Sequence, residues 1–235
     1  MNILTELENF INEFNQLNDE DFCIDSIRIE FSKQYKLERL KEVGKWVKID
    51  KNNQTILAKL KKRLTDNEIT SAHRLENYNI YYYNKRDTQS NKYRKAELVI
   101  FGMKQYHKDP PPRELISKIL SILKDVTNID ICLDLAHRPS LDIIKTIYKL
   151  QPYITAKGVI TDTMYINTTD IHMVEKIVIY NKQVKNNLGF TVWRVEAKVL
   201  IPNIKYLALP LYELRELINL MRDKRALSVA KDMRQ

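Results

Sequence analysis

Glycine is scarce in this chain. Only Gly44, Gly102, Gly158 and Gly189 occur among 235 residues, none in the GxxxxGK or GxGxxG spacing whose backbone amides cradle a phosphate. That argues against an ATP-driven motor or a dinucleotide enzyme. Cysteine is scarcer still: Cys23 and Cys132 stand far apart, with no further thiol or histidine at zinc-finger spacing. Neither a disulfide framework nor a structural zinc site is indicated, and a reducing cytoplasm is the expected location. The four histidines form no His-x-His pair. No apolar run approaches the roughly 18 residues of a membrane span, and the start, MNILTELENFINEF, is acidic and amphipathic rather than basic then apolar. A soluble protein without a membrane partner is expected.

What the chain does have is apolar content of 44% and an excess of base, 39 Lys plus Arg against 30 Asp plus Glu. The first is enough for a real core. The second, a formal charge of +9, suits an anionic partner such as nucleic acid or an acidic membrane surface, and charge alone does not choose between them.

The chain also echoes itself. Tyr-Asn-Lys occurs at Tyr83 and again at Tyr180, followed by Lys95-Ala96-Glu97 and by Arg194-Val195-Glu196. HRLE from His73 precedes HMVE from His172, and RELIS from Arg113 precedes RELIN from Arg215, in the same order at a nearly constant offset. The expectation is an α+β protein of two tandem, pseudo-repeated units, each an antiparallel sheet with helices on one face. The boundaries expected are an N-terminal helix over 1–22, a first unit over 23–124, a second over 126–225 and a basic tail over 226–235. Ile27, Ile29 and Phe31 alternate with polar residues, as do Ile129, Ile131 and Leu133, which is the half-buried strand pattern. RELISKILSILKDV and LYELRELINLMRDK carry apolar residues at three- and four-residue spacing and predict amphipathic helices.

A sheet covered on one side leaves the other open. If Ile179, Val195 and Ala197 face the core, alternation puts Tyr180, Lys182, Arg194 and Glu196 on the open face, joined by Asp130 and Asp134. Such a set fits phosphodiester chemistry, with a carboxylate-held ion polarising the phosphate, cations offsetting charge and a tyrosine attacking phosphorus. It equally fits a solvated face laced by cross-strand ion pairs. Asp130 and Asp134 are four residues apart, some 13 Å, so one can share a hard Mg²⁺ or Mn²⁺ with Glu196 while the other positions a base. The first unit offers Arg28 and Glu30 there, a poorer ion site, and is assigned to DNA binding. Its candidate contacts are Lys61, Lys62 and Arg63 in AKLKKRL, Tyr83 and Lys85, and Lys92, Arg94 and Lys95 in NKYRKAE. The alternatives are a solvated basic helix and core tyrosines.

The order VTNIDICLDL, TMYIN, VIYNK, WRVEAKVL resembles the replication initiation proteins of rolling-circle plasmids and filamentous phages. The resemblance implies an origin-binding endonuclease that nicks one strand, keeps the 5′ phosphate on a tyrosine and leaves a 3′ hydroxyl for a polymerase. A helicase from elsewhere would then separate the strands. It places Asp130, Asp134 and Glu196 on the acidic, metal-binding positions, Tyr180 and Lys182 on the Tyr-x-Lys pair and Arg194 on the basic position. Asn128 and Asn167 depart from the pattern, and QVKNN, where the plasmid class has its attacking tyrosine, contains none. That leaves Tyr180, Tyr165 or no nucleophile at all. The rival expectation is a non-catalytic replication or copy-number regulator of the same fold.

Overall fold

The alternating segments form strands and the amphipathic ones form helices. The computed structural model describes residues 3–64, 69, 71–84, 95–201 and 203–222. It is an α+β fold of antiparallel strand pairs and helices, divided into two compact units, Met1–Phe10 with Ile24–Ile129 and Ile11–Cys23 with Asp130–Gln235. The first helix, α1 (Ile3–Asn18), therefore contributes to each unit. Leu4, Leu7 and Ile11, spaced three and four apart, are its buried residues. Asn15 closes the turn beyond it: its amide donates to the Phe22 carbonyl and its Oδ1 accepts from the Phe22 N–H, both at 2.9 Å.

The first unit runs β1 (Cys23–Ser32), α2 (Lys33–Lys41), β2 (Trp46–Ile49), α3 (Gln54–Leu64), β3 (Ala72–Leu75), β4 (Ile80–Asn84), β5 (Lys95–Phe101) and α4 (Arg113–Leu123). Its strands lie in the order β2-β3-β4-β5-β1. Register places Glu30 opposite Glu97, a like-charge pair that Lys95 relieves by holding Glu30 at 2.8 Å. On one face Ile27, Ile29, Leu98 and Ile100 are buried, and Tyr82 stacks on His73 with ring centres 4.6 Å apart. The other face was expected to be open, and here the structure differs. Leu57 and Leu60 of α3 pack on Ile49, Ala72, Tyr81, Tyr83, Val99 and Phe101. The cause is compositional: IYYY in β4 and LVIF in β5 are continuous apolar runs, which bury both faces rather than one.

The second unit runs β6 (Asn128–Leu135), the short α5 (Ile144–Ile147), β7 (Gln151–Ile154), β8 (Ile160–Ile166), β9 (Val174–Asn181), α6 (Lys182–Asn186), β10 (Trp193–Leu200) and α7 (Ala208–Met221). Its order is β6-β10-β9-β8-β7. Ile131, Leu133, Val195, Ala197, Ile177 and Ile179 form the core face, and α7 packs against β10 with Leu211, Leu214, Leu217, Ile218 and Met221 buried. Glu20, only 2% exposed, is held by Arg222 at 2.5 Å. No helix among the described residues is long and apolar enough to cross a membrane.

Candidate active site on the second sheet

Residues directly opposed in an antiparallel pair share a face. Arg194 of β10 lies opposite Tyr180 of β9, Glu196 opposite Val178, and Val178 opposite Tyr165 of β8. Tyr180, Arg194, Glu196 and Tyr165 are therefore brought to one side by three adjacent strands. Tyr180 donates its phenolic hydrogen to Glu196 Oε2 at 3.1 Å. Arg194 donates from Nε to Asp134 Oδ1 at 2.6 Å and from Nη2 to Oδ2 at 2.7 Å, a two-point fork. Burial, and then the charge of Glu196, push the Tyr165 phenol above its ordinary pKa.

Two cations lie on these rings. Lys185 Nζ sits 4.1 Å from the centre of the Tyr180 ring, and Lys176 Nζ 4.7 Å from that of Tyr165. Neither lysine stood among the expected site residues. The signal for Lys185 was present in YNKQVKN: asparagine is a strong helix start, so the strand should end at Asn181 and the next turn fold back. That is what happens. Asn181 Oδ1 accepts the Val184 N–H at 3.0 Å, and Asn187 in the left-handed region closes the helix.

This start corrects the reading of Lys182. Alternation stops at Asn181, so Lys182 opens α6, donates its backbone N–H to Val192 O at 2.8 Å and is 3% exposed rather than on the open face. Arg194 is also corrected. It is 1% exposed and forked to Asp134, so it is not on an open face. The expected ion site is not assembled: among the described residues no three His, Cys, Asp or Glu side chains are grouped to hold a metal. Asp134 has both oxygens turned to Arg194, and Asp130 is 5% exposed on β6.

In the first unit the expected contacts separate. Lys62 and Arg63 are exposed on the last turn of α3 and Lys61 is half-buried there, with the Arg63 guanidinium 3.6 Å from the centre of the Phe101 ring. Lys95 is exposed but bound to Glu30. Tyr83, 5% exposed in the apolar cluster under α3, is core and not a base-stacking surface. Lys85, Lys92 and Arg94 lie outside the described residues.

No protein-family model matches the chain, and no curated protein is detectably similar to it in sequence. Among solved structures it is similar to a rolling circle replication initiator protein from Geobacillus stearothermophilus, with a TM-score of 0.44 and 10% identity over 80% of this chain and 77% of that one. A likeness this distant carries no weight of its own for activity.

Proposed function

We propose that this chain is a DNA-binding replication initiator whose second unit cuts one strand through Tyr180. The observation that carries the reading is the Tyr180–Glu196 hydrogen bond, made between neighbouring strands beside the Asp134–Arg194 fork. A phenol is a poor nucleophile until its proton has somewhere to go, and a carboxylate at 3.1 Å provides the place. In the step proposed, Glu196 takes the phenolic proton and the Tyr180 oxygen forms a bond to phosphorus. The bond from phosphorus to the 3′ oxygen breaks, and that oxygen leaves as a hydroxyl after taking up a proton. Lys185, already over the ring, supplies positive charge near the phosphate.

Tyr180 is only 5% exposed, so a phosphate meets the phenol when the Lys185 side chain swings off the ring, its ammonium staying beside the incoming phosphate. Positive charge spread over the chain supports a DNA partner, and affinity should fall steeply with added salt. The burial of Tyr180 and Arg194 favours a second reading, a regulator of replication that binds DNA without cutting it.

Incubation with supercoiled plasmid carrying the cognate origin, with and without Mg²⁺ or Mn²⁺, separates the two. Nicking predicts relaxed circles and a covalent protein–DNA species that Tyr180→Phe abolishes, while Glu196→Gln stops cutting and leaves binding intact. Binding with neither product, under every ion condition, establishes the regulator instead.

A further inference from the structure

We propose that the groove between α5 and α7 is a docking site for a basic amphipathic helix of a partner protein. The groove has a volume of about 290 Å³ and an apolar floor of Ile147, Ile171, Leu217 and Leu220 with Tyr212 at its edge. Ile147 and Tyr212 are each 51% exposed, an unusual state for two large apolar side chains facing one depression. Its size is at the bottom of the roughly 300–1,000 Å³ range of small-molecule pockets. Aliphatic side chains from a helix, entering at three- and four-residue spacing, suit such a groove better than an enclosed ligand.

Charge selects the partner. In a chain of formal charge +9, this rim carries Asp170, Glu213 and Glu216. Glu216 is partly offset by Arg215 at 3.0 Å, but the other two are held by neutral groups. Asp170 accepts from the Tyr148 hydroxyl, and Glu213 Oε2 accepts from the His172 N–H at 2.7 Å. Burial, together with that bond to Asp170, pushes the Tyr148 phenol up to about 12, so it remains a neutral donor at pH 7. Carboxylates held on a rigid rim repel phosphates, which sets this surface apart from one that meets DNA. A second copy is also a poor occupant, because a twofold contact would set one acidic rim against its twin. Lysine and arginine flanking a leucine stripe complement both floor and rim.

The test is fluorescence anisotropy of the full chain with a labelled helical peptide of about 18 residues, leucine on one face and lysine or arginine beside it. Saturable binding is expected, weakened about tenfold or more by Glu216→Lys and by Tyr212→Ala. Both positions are exposed, and an unchanged melting temperature verifies that each variant is folded. The same peptide with glutamate in place of its bases should not bind. The proposal is overturned if that acidic peptide binds equally well or if both variants bind like the original. Displacement of the peptide by a duplex oligonucleotide would make the groove a nucleic-acid surface. Self-association of the chain that Tyr212→Ala abolishes would make a second copy the occupant. Either result also overturns it, and none of these readouts depends on DNA cutting.

Discussion

Replacing Asp134 with asparagine keeps the shape of the side chain and removes the charge that faces Arg194. The guanidinium is 1% exposed and would be left buried beside a neutral amide. Breaking a buried ion pair from one side costs about 3–5 kcal/mol, because the remaining charge loses its closest counter-charge without regaining water. The Asp134 side chain is 16% exposed, so some water reaches the pair, and the low end, about 3 kcal/mol, is the better expectation. For a chain of this size each kcal/mol lowers the melting temperature by roughly 2–4 °C, giving a drop of roughly 6–12 °C. Calorimetry reads it directly. If the two units melt separately, the loss should fall on one transition. The exposed pair Arg138–Asp162, at 3.4 Å with side chains 68% and 60% exposed, is the control, and Asp162→Asn should cost no more than about 0.5 kcal/mol. Asp134→Leu combined with Arg194→Met should recover most of the loss, since an apolar pair needs no counter-charge. If Asp134→Asn melts no earlier than Asp162→Asn, the fork is screened by solvent and Arg194 is not the buried cation described above.

Glu20→Gln should lower the urea midpoint by the equivalent of about 1.5 kcal/mol, because the carboxylate that receives Arg222 and Arg215 loses its charge while both cations, 31% and 26% exposed, keep access to water. Burial first, then the charges of Lys33 and Lys48, hold the His73 imidazole below its ordinary pKa. The folded state thus binds that proton less readily than the unfolded chain, so the stability involved is present above the unfolded pKa and lost as pH falls through the folded one. Melting temperature should fall on acidification from pH 7.5, and His73→Gln should flatten the dependence; an equal slope in the variant would contradict the assignment. Gly102 has φ +77, and an added Cβ would lie 1.9 Å from the Gln105 side-chain nitrogen. That side chain can swing away, so Gly102→Ala should cost the backbone term alone, about 1–2 kcal/mol by chemical denaturation.

How much of this was legible depends on how far apart the interacting residues are. The alternation of Ile131 and Leu133 with Asp130 and Asp134 fixed a strand and its two faces without reference to anything distant. The spacing of apolar residues in RELISKILSIL did the same for α4. Asn181 marked the end of β9 by its own chemistry, and weighing that capping preference would have moved Lys182 off the face and placed Lys185 near Tyr180.

Other features could not be read locally. Whether the polar face of the first unit stayed open depended on α3 returning over β4 and β5, a packing outcome hinted at only by their unbroken apolar runs. Nor does any local pattern say that Asp134 should pair with Arg194, 60 positions later, instead of joining Asp130 and Glu196 around an ion. Periodicity and capping are properties of a few consecutive residues, so the amino-acid order alone determined the elements and which side of each strand is polar. Strand order and the closing of helices over a face set the distances and water access between remote charges. Only the tertiary structure could therefore decide that Arg194 is a buried counter-ion and that Tyr180 faces Glu196.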